Sequence, residues 1–329
     1  MGLLAAAIYV SFLAAARAGR LYGITASSPP TLSLIAVNGS TSAIAPLQGR
    51  PLDLVSTLDA ASGTYYFVDT ATHPAARLVG LSLATGAVVS AVPLPVVIAD
   101  ASTYGGLVIA FAANLGGAVV VAGDDANGTH LVGTLDPTSG AWRLVATITA
   151  QDSSDETGTG AYIPALRLFV FDLIVYTPHG WVTNFAVNMT SGAVFNRTNP
   201  VSRGSQIQQR LLNPADGQLY GIGYEDADDD HPGSPWNRTI ERMDPASLAV
   251  SVVGVVPGGW GVVVGSAGAI GGGAVFWMAA KGQTVNGSTD FYLVQNSLAD
   301  ASVVSVSAVP MCSAQGFPPA CPTSLQYVD

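Results

Sequence analysis

The sequence predicts an all-β protein assembled from six similar units, each a meander of four antiparallel strands. Three observations predict it. Short β-rich runs alternate with turns containing Gly, Asn or Asp, and helical periodicity is nearly absent. One pattern, a β-rich run, a small polar turn and a second β-rich run, recurs along almost the whole chain. With 329 residues, 49% of them apolar and only 10% charged, the chain can bury a large core and is not a disordered segment.

The pattern occupies residues 32–47, 78–94, 131–148, 182–196, 240–256 and 292–309, with turns centred on Gly39, Gly86, Gly140, Gly192, Leu248 and Ala301. Glycine reaches positive φ without a Cβ clash, so the pairs ending in the first four centres are hairpin signals. The last two centres lack glycine and are expected to use another turn type or a longer turn. A second hairpin precedes each of several repeats: Asp59 to Gly63, Asn114 to Gly117, Asn213 to Gly217 and Gly271 to Gly273 each lead into a β-rich run. A unit therefore reads strand A, turn, strand B, loop, strand C, turn, strand D.

In chain order the units are expected at about 21–47, 52–94, 106–148, 161–198, 207–256 and 260–309. The first starts at Leu21-Tyr22-Gly23-Ile24, already a B strand, and lacks an A strand. A short strand at 323–328, after the sixth unit, is expected to supply it and so remove two exposed sheet edges. Unit four is the least regular. Ile163-Pro164 interrupts its first strand, Gln151 to Glu156 reads as a polar connection, and the glycine-rich stretch 258–273 is expected to bend sharply in unit six.

Units of this period and strand content resemble the blades of a β-propeller. The cadence of Leu21-Tyr22-Gly23, Leu135-Asp136-Pro137 and Leu219-Tyr220-Gly221 is similar to that of YVTN-type and quinoprotein-like repeats. The resemblance covers nearly the whole chain and implies a six-bladed propeller whose first blade is closed by the C-terminal strand. It implies no activity, because such propellers host enzymes, ligand binders and adhesion modules alike.

Charge excludes one partner class. Twenty-two acids face twelve bases, eleven arginines and Lys281, which leaves no cationic surface for nucleic acid. Beyond the N-terminus no apolar run reaches the roughly 18 residues of a membrane-spanning helix. Residues 1–18 read as a signal peptide: an apolar run from Leu3 to Ala16 ends in the small-x-small site Ala16-Arg17-Ala18, although no basic side chain precedes the run. Six of eleven asparagines stand in glycosylation sequons, Asn38, Asn127, Asn188, Asn196, Asn237 and Asn286. Cys312 and Cys321 enclose eight residues and are expected to form a disulfide in an oxidising compartment. Together these features predict a secreted, extracellular glycoprotein.

Candidates for chemistry are few. Asp226, Asp228 and Asp230 have the spacing of a calcium loop, but His231 stands where that loop needs glycine, Asn237 where it needs glutamate, and no helices flank it. A solvated acidic loop is the expectation, with calcium the sole cofactor that the spacing raises. His73, His130, His179 and His231 all fall near B-to-C loops of successive units, which splay apart. Asp53, Asp59 and Asp172 are the acids nearest a central funnel, with turn capping as their alternative role. Trp142, Trp181, Trp236, Trp260 and Trp277 can stack on sugars or pack between units. Gly268 to Gly273 lacks the order of a phosphate loop. The expected role is recognition or scaffolding of a protein, glycan or small-molecule ligand; the alternative is a hydrolase or lyase with its site in the funnel.

Overall fold

The computed structural model describes residues 19–25, 29–71, 75–96, 107–148, 153–175, 181–198, 210–225, 237–257, 261–262, 268–281, 290–309 and 322–328. They form a six-bladed β-propeller whose blades are four-stranded antiparallel sheets. Blade one contains β1 (Arg20–Thr25), β2 (Thr31–Ile35) and β3 (Thr41–Pro46). Blade two contains β4 (Pro51–Asp59), β5 (Thr64–Asp69), β6 (Arg77–Ser82) and β7 (Val88–Pro93). Blade three contains β8 (Val108–Ala112), β9 (Ala118–Asp124), β10 (His130–Leu135) and β11 (Trp142–Ile148), with a single 3-10 turn at Ala113–Leu115. Blade four contains β12 (Ser153–Ile163), β13 (Leu168–Val175), β14 (Trp181–Asn188) and β15 (Val194–Thr198). Blade five contains β16 (Leu211–Leu212), β17 (Leu219–Glu225), β18 (Asn237–Asp244) and β19 (Ala249–Val256). In blade six, β20 (Gly261–Val262) and β21 (Ala269–Gly271) both pair with β22 (Ala274–Lys281), followed by β23 (Asp290–Ser297) and β24 (Val303–Ala308).

The last strand, β25 (Pro322–Val328), pairs antiparallel with β1, Arg20 opposite Val328 and Leu21 opposite Tyr327. Innermost strands touch in the cyclic order β25, β4, β8, β12, β16, β21 and again β25. Side chains alternate across each strand, so every blade presents one face to the blade before it and one to the blade after it. Six separate hydrophobic clusters result, one in each joint between neighbouring blades.

Two expectations are corrected. The turns at Leu248 and Ala301 are neither longer nor of another type: Leu248 N–H bonds Asp244 O at 2.7 Å and Ala301 N–H bonds Ser297 O at 3.0 Å, the same closure that Gly140 makes with Asp136 O at 2.9 Å. Both residues adopt positive φ, 55° and 59°. A left-handed non-glycine residue costs about 1–2 kcal/mol. Leu248 offsets this by burying its whole side chain in the joint between blades four and five, and Ala301 packs beside Gly254 in the joint between blades five and six. The second correction is in blade four. Residues 153–156 are not a connection but the start of β12, which accommodates them through register shifts before Gly160, and Pro164 lies just past the end of that strand.

The glycine centres do a second job. A Cβ on Gly86 would collide with Ala45 of the preceding blade's D strand, and one on Gly39 with Ala308 O. Each C-to-D turn is thus tucked against the blade behind it. Ser307 Oγ donates to Val37 O at 2.7 Å across the joint of blades six and one, binding that turn in place.

Candidate functional site

The joint between blades four and five is unlike the others. On β13, Leu168 and Val170 face blade five while Phe169 and Phe171 face blade three, so strand alternation turns Asp172 toward blade five. On blade five, Leu219 and Met243 meet them, and the same alternation brings Gly221, Gly223, Glu241 and Thr239 onto that face. Arg210, immediately before β16, completes the group.

Its geometry is specific. Arg210 Nη2 donates to Asn184 Oδ1 at 2.9 Å and lies 3.3 Å from Asp172 Oδ2, within ion-pair range but not aligned as a hydrogen bond. Thr239 Oγ1 donates to Glu241 Oε1 at 3.3 Å. Glu241 lies across β17 because that strand is bare there: a Cβ on Gly223 would collide with Glu241 Oε1. Exposure is 0% for Asp172, 3% for Arg210 and 5% for Glu241, so the cluster is sealed from solvent. Both Asp172 oxygens, Glu241 Oε2 and Arg210 Nε have no hydrogen-bond partner among the described residues.

Burial pushes the Asp172 carboxyl up to about 6, with the Arg210 charge opposing the rise. Burial also raises Glu241 against the same guanidinium and lowers Arg210 against the two acids. Asp69, equally closed to solvent but packed less deeply, shows the opposite outcome. Burial raises it too, but its Oδ2 accepts from Arg77 Nη2 at 2.6 Å and its Oδ1 from the amides of Arg50 and Ala71, and the net result is a lowered pKa. The contrast lies in the greater depth of Asp172 and in the hydrogen bonds that Asp69 receives, since a buried carboxylate is favoured only when donors replace its lost water.

Repeat positions make the cluster more telling. Five residues past the left-handed residue of the A-to-B turn, Asp172 stands where Val68, Ala122 and Ile222 stand in blades two, three and five. Its cross-strand partner Asn184 matches Leu78, Val132 and Ile240. Glu241 pairs with Gly221, where the other blades pair Phe67 with Val79, Val121 with Gly133, Phe171 with Phe185 and Trp277 with Val294. A bulky residue of strand B has been replaced by glycine, and Arg210 and Glu241 share the face it would have covered.

Of the residues expected from sequence, Asp172 is therefore part of a cluster, while its partners Arg210, Glu241 and Asn184 were not anticipated. Aligning the five A-to-B turns and reading down each column would have found them as polar departures. Asp59 is a turn cap, accepting from Ala61 N at 3.0 Å and Ser62 Oγ at 2.5 Å; the side chain of Asp53 lies outside the described residues. Asp226, Asp228, Asp230, His73, His179, His231, Asn286, Trp236, Trp260, Cys312 and Cys321 also lie outside them, as do the side chains of Asn237 and Trp181. Among the described residues no group of three or more metal-ligating side chains converges. His130 is buried, 3.0 Å from Asp124 Oδ1 and stacked on Phe171. Trp277 is a packing residue whose Nε1 donates to buried Asn296 at 2.8 Å. Asn38, Asn127 and Asn196 are exposed, and half-buried Asn188 caps its own turn through Oδ1.

A cleft of about 410 Å³ opens elsewhere, between blades six and one, lined by Arg20, Leu34, Ile35, Phe276 and Gln295 among others. It holds no acid and no histidine. Fold and joint together define a six-bladed β-propeller in which, among the described residues, one joint buries two acids beside a single arginine. No family model matches the sequence, and no curated protein resembles it in sequence. Solved structures do share the fold. TolB from Acinetobacter baumannii superposes with a TM-score of 0.60 at 13% identity, over 94% of this chain and 66% of that one. A protein assigned as TolB from Agrobacterium tumefaciens gives 0.53 at 12% identity, over 88% of each chain. At such identities the likeness is of fold alone. No helix among the described residues is long and apolar enough to cross a membrane.

Proposed function

We propose that the protein is a secreted, N-glycosylated β-propeller that serves as an extracellular recognition or scaffold module for a protein, glycan or small-molecule ligand. One observation carries this reading: among the described residues, Asp172 and Glu241 are sealed inside a blade joint, whereas the cleft between blades six and one offers apolar and polar lining with no acid or histidine. Catalysis needs acid and base groups within reach of a substrate, and binding needs only the lining. Exposure of Asn38, Asn127 and Asn196 supports the glycoprotein part, since a sequon must be reachable to be modified.

The test is a thermal-shift screen of the protein purified from a secreting host against glycan and small-molecule panels, with and without calcium. A ligand present at about 100 times its Kd stabilises by about 2.7 kcal/mol. The reading expects a shift that Ala36→Trp, which fills the cleft, abolishes. Turnover of the bound compound would instead favour the hydrolase or lyase alternative. An unmoved melting point on adding calcium would remove Asp226, Asp228 and Asp230 as a calcium loop. A glycosidase-sensitive mass on the secreted protein is the check on the sequons.

A further inference from the structure

The polar joint leaves three acceptor atoms and one donor atom unpaired and has one acid more than its bases. Asp172 from β13 and Glu241 from β18 share the single guanidinium of Arg210, with neutral Asn184 from β14 and Thr239 from β18 beside them. The facing residues of β17, Gly221 and Gly223, add nothing titratable. With all three groups ionised the sealed space holds one uncompensated negative charge and three carboxylate oxygens without donors. Such a charge is costly where water is excluded.

Three agents could balance it. A hard metal cation needs about six oxygen ligands, and only three are free. A polar ligand would have to displace a blade to enter, given exposures of 5% or less. A proton needs no space and supplies the missing donor. Taken from solvent by either carboxylate, it makes one O–H donor and leaves the cluster neutral. No bond other than that O–H forms and nothing is oxidised.

Among the described residues, blade five is also held by a short inner strand. Its A strand, β16, has two residues, against eleven in β12 of blade four. We propose that the joint is a proton-operated latch: one proton taken up by the cluster, on Asp172 or Glu241, closes blade five against blade four, and its loss loosens blade five while the other joints are unaffected.

Hydrogen exchange read by mass spectrometry on the full chain tests this, with rates corrected for the intrinsic pH dependence of amide exchange. On going from pH 7.5 to 5.5, peptides from 211–225 and 237–256 are expected to gain about tenfold protection, one pKa unit's worth of coupling, relative to peptides from blade two, 51–93. Asp172→Asn mimics the protonated carboxyl and is expected to hold blade five protected at both pH values. An equal response of blades two and five, or no response, would overturn the latch. So would an Asp172→Asn protein that keeps the wild-type response. Should that variant not fold, the wild-type comparison decides alone, and Glu241→Gln provides the second substitution.

Discussion

Asp172 lies directly opposite Asn184 across the β13–β14 pair, at the register position where Val68 meets Leu78 in blade two and Ala122 meets Val132 in blade three. An apolar cross-strand pair has become an acid and an amide, both almost fully buried. Replacing a buried ionic group by apolar residues of similar volume is often neutral or stabilising. The polar joint therefore gives the molecule no obvious thermodynamic advantage, and its consequences should be sought in specificity and response to pH.

Stability should fall as pH rises through the range of Asp172. Its folded pKa of about 6 lies above the ordinary 3.8, so the native state holds the proton more tightly; the contribution is complete below the unfolded value and is lost as pH passes about 6. The gap corresponds to about 3 kcal/mol at most. Lowered carboxyls such as Asp69 act oppositely, losing their contribution as pH falls below 3.8. Melting temperature should peak in mild acid, and Asp172→Asn should flatten the alkaline side of that peak. A curve still falling equally steeply in the variant would refute this.

Removing the shared cation should be worse than removing an acid. Arg210→Ala leaves Asp172 and Glu241 buried without a counter-charge, and breaking a buried pair on one side costs about 3–5 kcal/mol. Urea denaturation measures it. A loss under about 1 kcal/mol would mean that the acids are already neutral at the assay pH.

The left-handed turn residues give a paired test. Ala301→Gly should be nearly neutral, because relief of about 1–2 kcal/mol of backbone strain offsets the extra chain entropy and one lost methyl. Leu248→Gly should destabilise by about 1–3 kcal/mol, since the buried side chain is worth more than the strain. Gly86→Ala combines φ of +70° with a collision against Ala45 and should cost more than Ala301→Gly. If all three behave alike in thermal melts, burial does not govern these turns.

Asn296 accepts from Trp277 Nε1 and donates to Ala301 O at 2.9 Å, all within the joint of blades five and six. Asn296→Ala strands two buried polar groups at about 1–3 kcal/mol each. Tryptophan fluorescence and chemical denaturation together should show a looser Trp277 environment and a lower midpoint.

Deleting 322–328 should destroy cooperative unfolding, because β1 loses one of its two antiparallel partners and the joint of blades six and one loses the fully buried Leu325. Leu325→Ala is the milder form, expected to cost about 2–5 kcal/mol. A truncated protein that melts like the full chain would show that the last strand is dispensable.

Much of the fold was legible because its signals are local. A hairpin turn is decided within five residues, so Gly39, Gly86, Gly140 and Gly192 mark their positions in any context. Leu248 and Ala301 were misread for the converse reason: their conformation is unfavourable locally and is stabilised by the neighbouring blade. The same limit hid the cluster. Asp172 could be suspected as a lone acid, but 38 residues separate it from Arg210 and 69 from Glu241.

By itself, the chain's order of residues determined the number of blades and the place of their turns, because periodic chemistry acts over one hairpin at a time. Only the closed ring decided that Asp172, Asn184, Arg210 and Glu241 share one dry space. Their meeting depends on two sheets packing face to face, and the charge imbalance that makes the joint responsive to pH exists only once water has been expelled from between them.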